Sequence, residues 1–263
     1  MELLTTAIEA AIEAGDAIMK IYRTGDFTID VKSDLSPLTN ADLAANNVIT
    51  SYLGPTRIPL LTEEGKHIDW NERKSWKELW IVDPLDGTKE FIKKNGEFTV
   101  NIALVKDHTP ILGVVYAPAL NELFFATESL GAFKMLTGDN TKLNDLIQNA
   151  QQLPFKKDDR TFRIVGSRSH MTAETEEFIA QQAAIHGPIE TISRGSSLKL
   201  CMVAEGEADC YPRFAPTMEW DTAAGQAICM YSGAQVIDWK TGQSMRYNKE
   251  KLLNNWFLVR REQ

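Results

Sequence analysis

The sequence predicts a protein of mixed α and β structure with two sheets, the first mostly antiparallel and the second mixed. Four short apolar runs between residues 97 and 136 are separated by turn residues, which is typical of an antiparallel meander. From about residue 160, strand-like and helix-like segments alternate, which favours an α/β arrangement. We therefore expect an N-terminal α+β domain over residues 1–150 and a C-terminal α/β domain over residues 151–263, with a boundary near 136–160.

Two helices are predicted before the first strand. Residues 2–22 place apolar side chains such as Leu4 and Ile8 at helical spacing between acidic residues, which indicates an amphipathic helix. This segment lacks the basic start and continuous apolar core of a signal peptide, so we do not expect it to be one. The segment PLTNADLAANNVITSYL predicts a second helix, with Thr39 as its N-cap and Asp42 three residues later.

Two predicted strands end in pairs of acids. The run IPLLT is followed by Glu63 and Glu64, and the run LWIV is followed by Asp83 and, after two residues, by Asp86. The meander then consists of EFTVNIALVKD, PILGVVYAP, ELFFATE and GAFKML. The later half predicts, in order, the strand FRIVGS, a helix from Thr172, the strand IETISRG, the helix SLKLCMVAEG, the strand ADCYPRF, a helix from Asp221 and the strand GAQVIDW.

Composition excludes several classes of protein. Of the 263 residues, 43% are hydrophobic, which is enough for a sizeable core and argues against disorder. A net charge of −8 is unfavourable for binding polymeric nucleic acid, although local charge can still bind a small phosphate compound. No stretch approaches the roughly 18 apolar residues that a membrane span needs.

The cysteines bear on the compartment. Cys201, Cys210 and Cys229 are an odd number at wide spacings, which fits neither a disulfide framework nor a zinc site. They favour buried, reduced thiols in a cytoplasmic protein. A peripheral position on the cytoplasmic face of the inner membrane stays open, although we find no amphipathic anchor with a basic face. The oligomeric state also stays open.

Acids at the ends of buried strands and at helix starts lie where a cleft would form. Besides the strand-end pairs, Asp42 lies in the first turn of the second helix and Asp221 at the start of a helix of small residues. Each has a purely structural alternative. Asp42 can complete a capping box, Asp221 can be an N-cap, and Glu63 with Glu64 can form an exposed turn.

Asp83 and Asp86 are harder to explain structurally. Pro84 restricts the turn between them, and two unpaired carboxylates there would repel each other or raise each other's pKa. A cation between them removes this difficulty. Oxygen ligands without a nearby His or Cys cluster favour Mg²⁺ over zinc.

The next residues suit an anion. Gly87 lets a ligand approach the backbone closely, and GTKEFIKK predicts the start of a helix at Thr88, where free N–H groups can bind phosphate. A phosphate at this point would be held by the cation on one side and by amides on the other. This is the arrangement that phosphoryl transfer to water requires.

The motifs DPLDGT, WDTAAG and the upstream EE, in this order over about 160 residues, resemble those of the inositol monophosphatase-like superfamily. Further segments resemble its bacterial 3′(2′),5′-bisphosphate nucleotidase branch: NGEFTVNIALV, ILGVVYAP, SRSH, GSSLKLCMVAEGEAD and YPRFAPT. The resemblance covers nearly the whole chain and is weakest over residues 136–160. It implies the layered αβαβα sandwich of the sugar-phosphatase-like fold and a Mg²⁺-dependent, lithium-sensitive phosphatase with two or three ions.

The resemblance also implies roles for individual residues. The metal ligands are expected at Glu63, Asp83, the backbone carbonyl of Leu85, Asp86 and Asp221. Glu63 is preferred over Glu64 because the family uses the first glutamate of the pair. Asp42 and Thr88 match the pair that orients and deprotonates the attacking water, with the Thr88 hydroxyl passing a hydrogen bond to Asp42.

Substrate residues are expected mainly in the second half. Gly87, Thr88 and Asp221 adjoin the phosphate to be cleaved, whereas SRGSSLKLC offers a helix start for a 5′-phosphate. The candidates for the rest of the nucleotide are Gly195, Ser196, Lys199, His170 and Arg213. Alternatives are a solvated helix residue for Lys199, a polar loop residue for His170 and a surface ion pair for Arg213.

The resemblance implies a phosphatase that converts adenosine 3′,5′-bisphosphate (PAP) to AMP, with the sulfated nucleotide PAPS as a second candidate substrate. Its role would lie in sulfur metabolism, where PAP is a by-product of sulfate assimilation. Two alternatives stay open. One is an inositol monophosphatase or sugar bisphosphatase of the same superfamily, and the other is a non-catalytic protein that binds Mg²⁺ or nucleotide.

Overall fold

The structure is a computed structural model that describes residues 1–25, 27–31, 37–138, 148–155, 160–166 and 172–261. The helices are α1 (Glu2–Thr24), α2 (Asn40–Leu53), α3 (Trp70–Arg73), α4 (Thr88–Ile92), α5 (Ala173–His186), α6 (Leu198–Glu205) and α7 (Glu219–Tyr231), with a 3-10 turn at Gly54–Thr56. The strands are β1 (Ile29–Val31), β2 (Pro37–Thr39), β3 (Leu60–Thr62), β4 (Glu78–Asp86), β5 (Thr99–Lys106), β6 (Thr109–Ala117), β7 (Glu122–Thr127), β8 (Gly131–Leu136), β9 (Gln151–Gln152), β10 (Phe162–Val165), β11 (Ile189–Ile192), β12 (Cys210–Arg213), β13 (Ala234–Asp238) and β14 (Phe257–Arg261).

The strands form two main sheets of the predicted kinds. The first has the order β3-β4-β5-β6-β7-β8-β9, with β3 and β4 parallel and the following described pairs antiparallel. The second has the order β11-β10-β12-β14-β13, parallel on the β10 side and antiparallel around β14. A separate pair joins β1 to β2. The mostly antiparallel and the mixed sheet are therefore both confirmed.

Helices and sheets alternate in five layers. Apolar residues of α1 and α2 share one core with one face of the first sheet. The opposite face of that sheet shares a second core with α6, α7 and the inner face of the second sheet. On the outer face of the second sheet, Phe178 of α5 packs in a smaller cluster with Ile164 and Leu258. The layered αβαβα arrangement is confirmed, whereas the division into two domains near residue 150 stays a prediction.

Helix α7 packs very closely against the first sheet. A Cβ atom added at Gly113 of β6 would lie 2.4 Å from the carbonyl oxygen of Ala224 and 2.7 Å from the Cβ atom of Ala227. Because only glycine permits this approach, the backbone of α7 rests directly on the sheet. The packing places the N-terminal end of α7, and with it Asp221, near the end of β4.

Some elements differ from the prediction. Helix α1 runs to Thr24 and ends at Gly25, whose φ of 70° permits the left-handed C-cap. Strand β14 was missed; it pairs with β12 and β13, which lie far away in sequence. The three cysteines are buried and free, as predicted. Among the described helices, none is long and apolar enough to cross a membrane.

Candidate active site

A β-bulge brings the two aspartates of β4 together. Asp83 pairs with Asn101 of β5 and Asp86 pairs with Thr99, so three steps along β4 match two steps along β5. Residues three apart in a regular strand point to opposite faces of the sheet. The extra residue of the bulge corrects this phase. One oxygen from each carboxylate, together with one from Asp221, therefore lies within 4.8 Å of the others.

Glu63 approaches the same point from the neighbouring strand. Strands β3 and β4 are parallel, so their carboxyl ends meet at one edge of the sheet. The Glu63 N–H donates to the carbonyl oxygen of Val82 at 3.1 Å, and its side chain is hydrogen-bonded to Asp83. The structure thus brings together the four predicted carboxylate ligands Glu63, Asp83, Asp86 and Asp221.

The electrostatics of this cluster favour a cation. Asp83 is only 1% exposed, and its Oδ1 accepts a hydrogen bond from the Leu85 N–H at 3.0 Å. Burial, followed by the charges of Glu63, Asp86 and Asp221, raises the pKa of Asp83 well above its usual value. Burial and the charge of Asp86 likewise raise the pKa of Asp221. Since a bound divalent ion would replace this repulsion with attraction, the all-oxygen donor set fits Mg²⁺.

Asp221 occupies the third position of α7. Its Oδ2 accepts the Met218 N–H at 2.8 Å, which satisfies one free donor at the helix start. The purely structural interpretation of Asp221 is therefore correct as far as it goes. The same side chain nevertheless faces Asp83 and Asp86, so capping and ligand binding are compatible.

Asp42 and Thr88 are also in contact. The capping box is present: Asp42 Oδ2 accepts the Thr39 N–H at 2.8 Å and the Thr39 hydroxyl at 2.6 Å. The other oxygen, Oδ1, lies 3.2 Å from the Thr88 hydroxyl. That hydroxyl is also 3.3 Å from the carbonyl oxygen of Leu85, the predicted backbone ligand. The predicted hydroxyl–carboxylate pair thus adjoins the carboxylate cluster.

Gly87 connects the cluster to a short helix. Its φ of 89° lies in the left-handed region, and an added Cβ atom would lie 3.3 Å from the Cβ atom of Ser196. The chain therefore requires glycine here. Helix α4, which begins at Thr88, has only five residues, so its dipole is small and its N–H groups are the relevant donors.

A cleft of about 580 Å³ opens from the cluster. It is lined by Asp86 and Asp221 together with most of the predicted substrate residues, namely Gly87, Gly195, Ser196, Lys199 and Arg213. His170 lies outside the described residues. Two cations that the sequence analysis missed, Lys89 of α4 and Lys93 at its C-cap, also line the cleft. They could have been found as exposed charges one helical turn apart after the Gly-Thr pair.

The predicted donors in the cleft have protein partners. The Gly195 N–H donates to Glu97 Oε2 at 2.9 Å, and the Ser196 hydroxyl donates to Asp86 Oδ2 at 2.6 Å. Lys199 Nζ donates to the carbonyl oxygen of Arg194 at 3.3 Å. Burial and the charge of Arg213 lower the pKa of Lys199 to about 8. A direct contact of Gly195 N–H with phosphate would require Glu97 to move.

Arg213 is not the surface ion pair of the alternative interpretation. Its Nη2 donates to the carbonyl oxygen of Pro216 at 3.2 Å, and its Nε is buried with no hydrogen-bond partner among the described residues. The guanidinium also hydrogen-bonds Tyr211. Together with Lys199 it places positive charge in the wall of the cleft.

A family model described as the inositol monophosphatase family matches residues 1–260. The chain belongs to the inositol monophosphatase family. This membership confirms the sequence-based resemblance. The family is metal-dependent, in agreement with the carboxylate cluster of this member.

Curated relatives match along nearly the whole chain. The 3′(2′),5′-bisphosphate nucleotidase CysQ of Shigella flexneri is 47% identical over 262 residues, which cover 98% of this chain and 99% of that protein. The protein of the same name from Escherichia coli K12 is 45% identical with the same coverage. The crystal structure of CysQ from Bacteroides thetaiotaomicron has a TM-score of 0.90 and 49% identity, covering 100% of this chain and 98% of that one.

Proposed function

We propose that this member of the family is a phosphatase that hydrolyses the 3′-phosphate of adenosine 3′,5′-bisphosphate, giving AMP and phosphate, with PAPS as a second substrate. The observation that carries the proposal is the juxtaposition of the carboxylate cluster with a cationic cleft, in a chain 47% identical to a named bisphosphate nucleotidase. A cluster alone supports a phosphatase of any substrate. The cleft with Lys199 and Arg213 adds room and charge for a second phosphate.

Residues of the cluster would hold Mg²⁺, in two or three ions. The carboxylates of Glu63, Asp83, Asp86 and Asp221 and the carbonyl of Leu85 supply the hard oxygen donors that this ion prefers. Bound Mg²⁺ neutralises phosphate charge and lowers the pKa of a nearby water. Gly87, which lines the cleft beside the cluster, would adjoin the phosphate being cleaved.

Thr88 and Asp42 handle the proton of the attacking water. With its hydroxyl proton directed at Asp42 Oδ1, the Thr88 oxygen keeps lone pairs that accept a hydrogen bond from water. Asp42 Oδ2 accepts from both Thr39 donors, and Oδ1 is the oxygen that contacts Thr88 and would receive a proton through it. The capping box thus fixes the orientation of the general base.

The second phosphate is placed by the other wall of the cleft. We assign the 5′-phosphate to Lys199, with Ser196, Gly195 and Arg213 also lining the cleft. His170 stays a prediction for the adenine or ribose. A cytoplasmic location likewise stays a prediction from the sequence.

The test is phosphate release from adenosine 3′,5′-bisphosphate and from inositol 1-phosphate, with Mg²⁺ and then with added Li⁺. We expect a strong preference for the nucleotide and inhibition by Li⁺. Asp83→Asn should lose activity by at least about 100-fold, because removing even an outer partner of a metal site costs about 10- to 100-fold. Asp107→Asn is the matched control, since Asp107 is exposed and its φ of 48° suits Asn.

The other outcomes separate the alternatives. A preference for inositol 1-phosphate would retain the metal site and overturn the assignment of the second phosphate. Mg²⁺ binding without phosphate release from either compound would favour the non-catalytic alternative. Full activity of Asp83→Asn would contradict the ligand assignment.

A further inference from the structure

Strand β5 and the residues just before it carry a row of polar side chains, two of which are buried. Glu97, Thr99 and Asn101 alternate with apolar residues, so they point to one face of the sheet. Thr99 is fully buried and Asn101 is 1% exposed. Burying hydroxyl and amide groups costs free energy unless they are hydrogen-bonded. These side chains are therefore expected to have hydrogen-bond partners outside the sheet.

Each member of the row contacts one residue of a single turn, Gly195-Ser196-Ser197. Glu97 Oε2 accepts the Gly195 N–H at 2.9 Å. Thr99 Oγ1 lies 2.5 Å from Ser196 Oγ. Asn101 Nδ2 donates to Ser197 Oγ at 2.9 Å. Three alternate residues, two in β5 and one just before it, thus match three consecutive residues of the turn.

Both serine hydroxyls also contact the carboxylate of a predicted metal ligand, Asp86. Ser196 Oγ lies 2.6 Å and Ser197 Oγ 2.9 Å from the same oxygen, Asp86 Oδ2. Each hydroxyl has one proton to donate. Thr99 has one proton for Asn101 Oδ1 and Ser196 Oγ, and Ser197 has one proton for Asp86 Oδ2 and the carbonyl oxygen of Asp221, so the hydroxyl groups of this network share their protons. Asn101 Nδ2, which donates to Ser197 Oγ, also lies 3.4 Å from Asp86 Oδ2. The two serine hydroxyls and the Asn101 amide thus converge on one carboxylate oxygen, which restricts its rotation.

The backbone of the turn is shaped for this contact. Ser196 has a φ of 54°, in the left-handed region where glycine would be less strained. Its hydroxyl is what glycine cannot supply. A Cβ atom added at Gly195 would lie 2.5 Å from the carbonyl oxygen of Glu97, so the turn is pressed against the strand. Ser197 also lies 2.7 Å from the carbonyl oxygen of Asp221, which links the two halves of the cluster.

We propose that Thr99 and Asn101 are positioning residues that hold the Asp86 carboxylate in its cation-binding orientation and lock the 195–197 turn to it. The inference rests on the proposed cation site. It means that the cation and the substrate-binding turn share one hydrogen-bonded support. Outer partners of a metal site are expected to contribute about 10- to 100-fold in metal affinity.

The test measures Mg²⁺ binding by calorimetry without substrate, and the Mg²⁺ concentration that gives half-maximal activity. Thr99→Val keeps the β-branched shape and removes the hydroxyl, and Asn101→Leu removes the amide at similar volume. Each should weaken Mg²⁺ binding by about 10-fold or more. Activity should largely recover at saturating Mg²⁺. Thr99→Ser keeps the hydroxyl and should bind Mg²⁺ as the unmodified protein does.

The control is Thr127→Val, which removes a threonine hydroxyl from β7 of the same sheet, where it contacts Ser129 and Leu130. A purely structural role predicts a lower melting temperature with an unchanged Mg²⁺ affinity in Thr99→Val and Asn101→Leu, and that result would overturn the inference. Should either variant fail to fold, the other and the Thr99→Ser comparison decide it. No Mg²⁺ binding by the unmodified protein would instead refute the proposed function.

Discussion

Asp42 and Asp221 occupy the same position of two different helices, the third residue, and yet their surroundings differ. Both accept the N–H of the N-cap residue at 2.8 Å. At α2 the N-cap is Thr39, whose hydroxyl also binds Asp42, and Thr88 contacts the remaining oxygen. At α7 the N-cap is Met218, which has no hydroxyl, and the carboxylate of Asp221 instead faces two further aspartates.

The difference shows that a carboxylate at the third position of a helix can serve either in proton transfer or in cation binding. A carboxylate whose two oxygens both accept protein hydrogen bonds is held in one orientation as the anion, the form that can accept a proton from a neighbouring hydroxyl. A carboxylate that lies beside other carboxylates, and whose pKa is raised by burial and by their charges, is suited to hold a cation. The neighbours across the cleft, and not the helix start, decide which role follows.

The largest expected effect is that of Asp221→Asn. Asn can still accept the Met218 N–H, so the start of α7 should persist, whereas the cation loses a charged ligand. We expect Mg²⁺ affinity and kcat/KM each to fall by more than about 100-fold. Calorimetry and a phosphate-release assay measure both. Unchanged Mg²⁺ binding would show that the two helix starts do not differ as described.

Asp42→Asn should affect turnover and spare the cation. Removing a positioned general base typically costs about 10²- to 10⁴-fold in rate. We expect this loss in kcat, with Mg²⁺ affinity within a factor of about 3 of the unmodified protein. Thr88→Val should act in the same way, and the double variant should lose little more, because both residues serve one proton path. If the losses of kcat in the two single variants add up in the double variant, the two residues do not act in one proton path.

At the start of a third helix, α6, the ionisable residue is a lysine, Lys199, instead of an aspartate. The pKa of Lys199 is lowered to about 8, so in the free protein its ammonium loses its proton above that pH. If it binds the 5′-phosphate, kcat/KM for the nucleotide should fall by up to about 10-fold per pH unit above 8. Lys199→Arg stays charged and should flatten this fall. An identical profile in both proteins would remove Lys199 from the binding site.

The smallest expected effect comes from the cap itself. Thr39→Ala should lower the free energy of unfolding by about 1 kcal/mol, since it removes an N-cap hydroxyl. Thr172→Ala removes the N-cap hydroxyl of α5, away from the described cleft, and should cost a similar amount. Only Thr39→Ala should also reduce kcat, because Thr39 orients Asp42. If Thr39→Ala and Thr172→Ala have equal kcat values at a temperature where both are folded, Thr39 has only a structural role.

Short-range patterns in the sequence correctly predicted the capping box, most strands of the first sheet and the carboxylate cluster. The spacing of Thr39 and Asp42 predicted a capping box that is present, and the turn residues around the meander predicted its strands. The pair Asp83 and Asp86 predicted a cation site where the carboxylates do converge. In each case the determining interactions lie within a few residues of one another.

Interactions between distant segments were not predictable in the same way. Strand β14 has partners near residues 210 and 234, and no turn links it to them. Thr99 and Asn101 were read only as part of a strand, although a polar row inside a buried strand was a usable signal. The Glu97 partner of Gly195 depends on a contact across almost 100 residues.

Because of the bulge in β4, the number of residues between Asp83 and Asp86 decides whether their carboxylates lie on the same side of the sheet. Side chains in this segment can be exchanged one at a time while the register with β5 survives. Adding or deleting a single residue between the aspartates would instead rotate one carboxylate to the far side of the sheet. This stretch is therefore expected to be far less tolerant of changes in length than of changes in residue type.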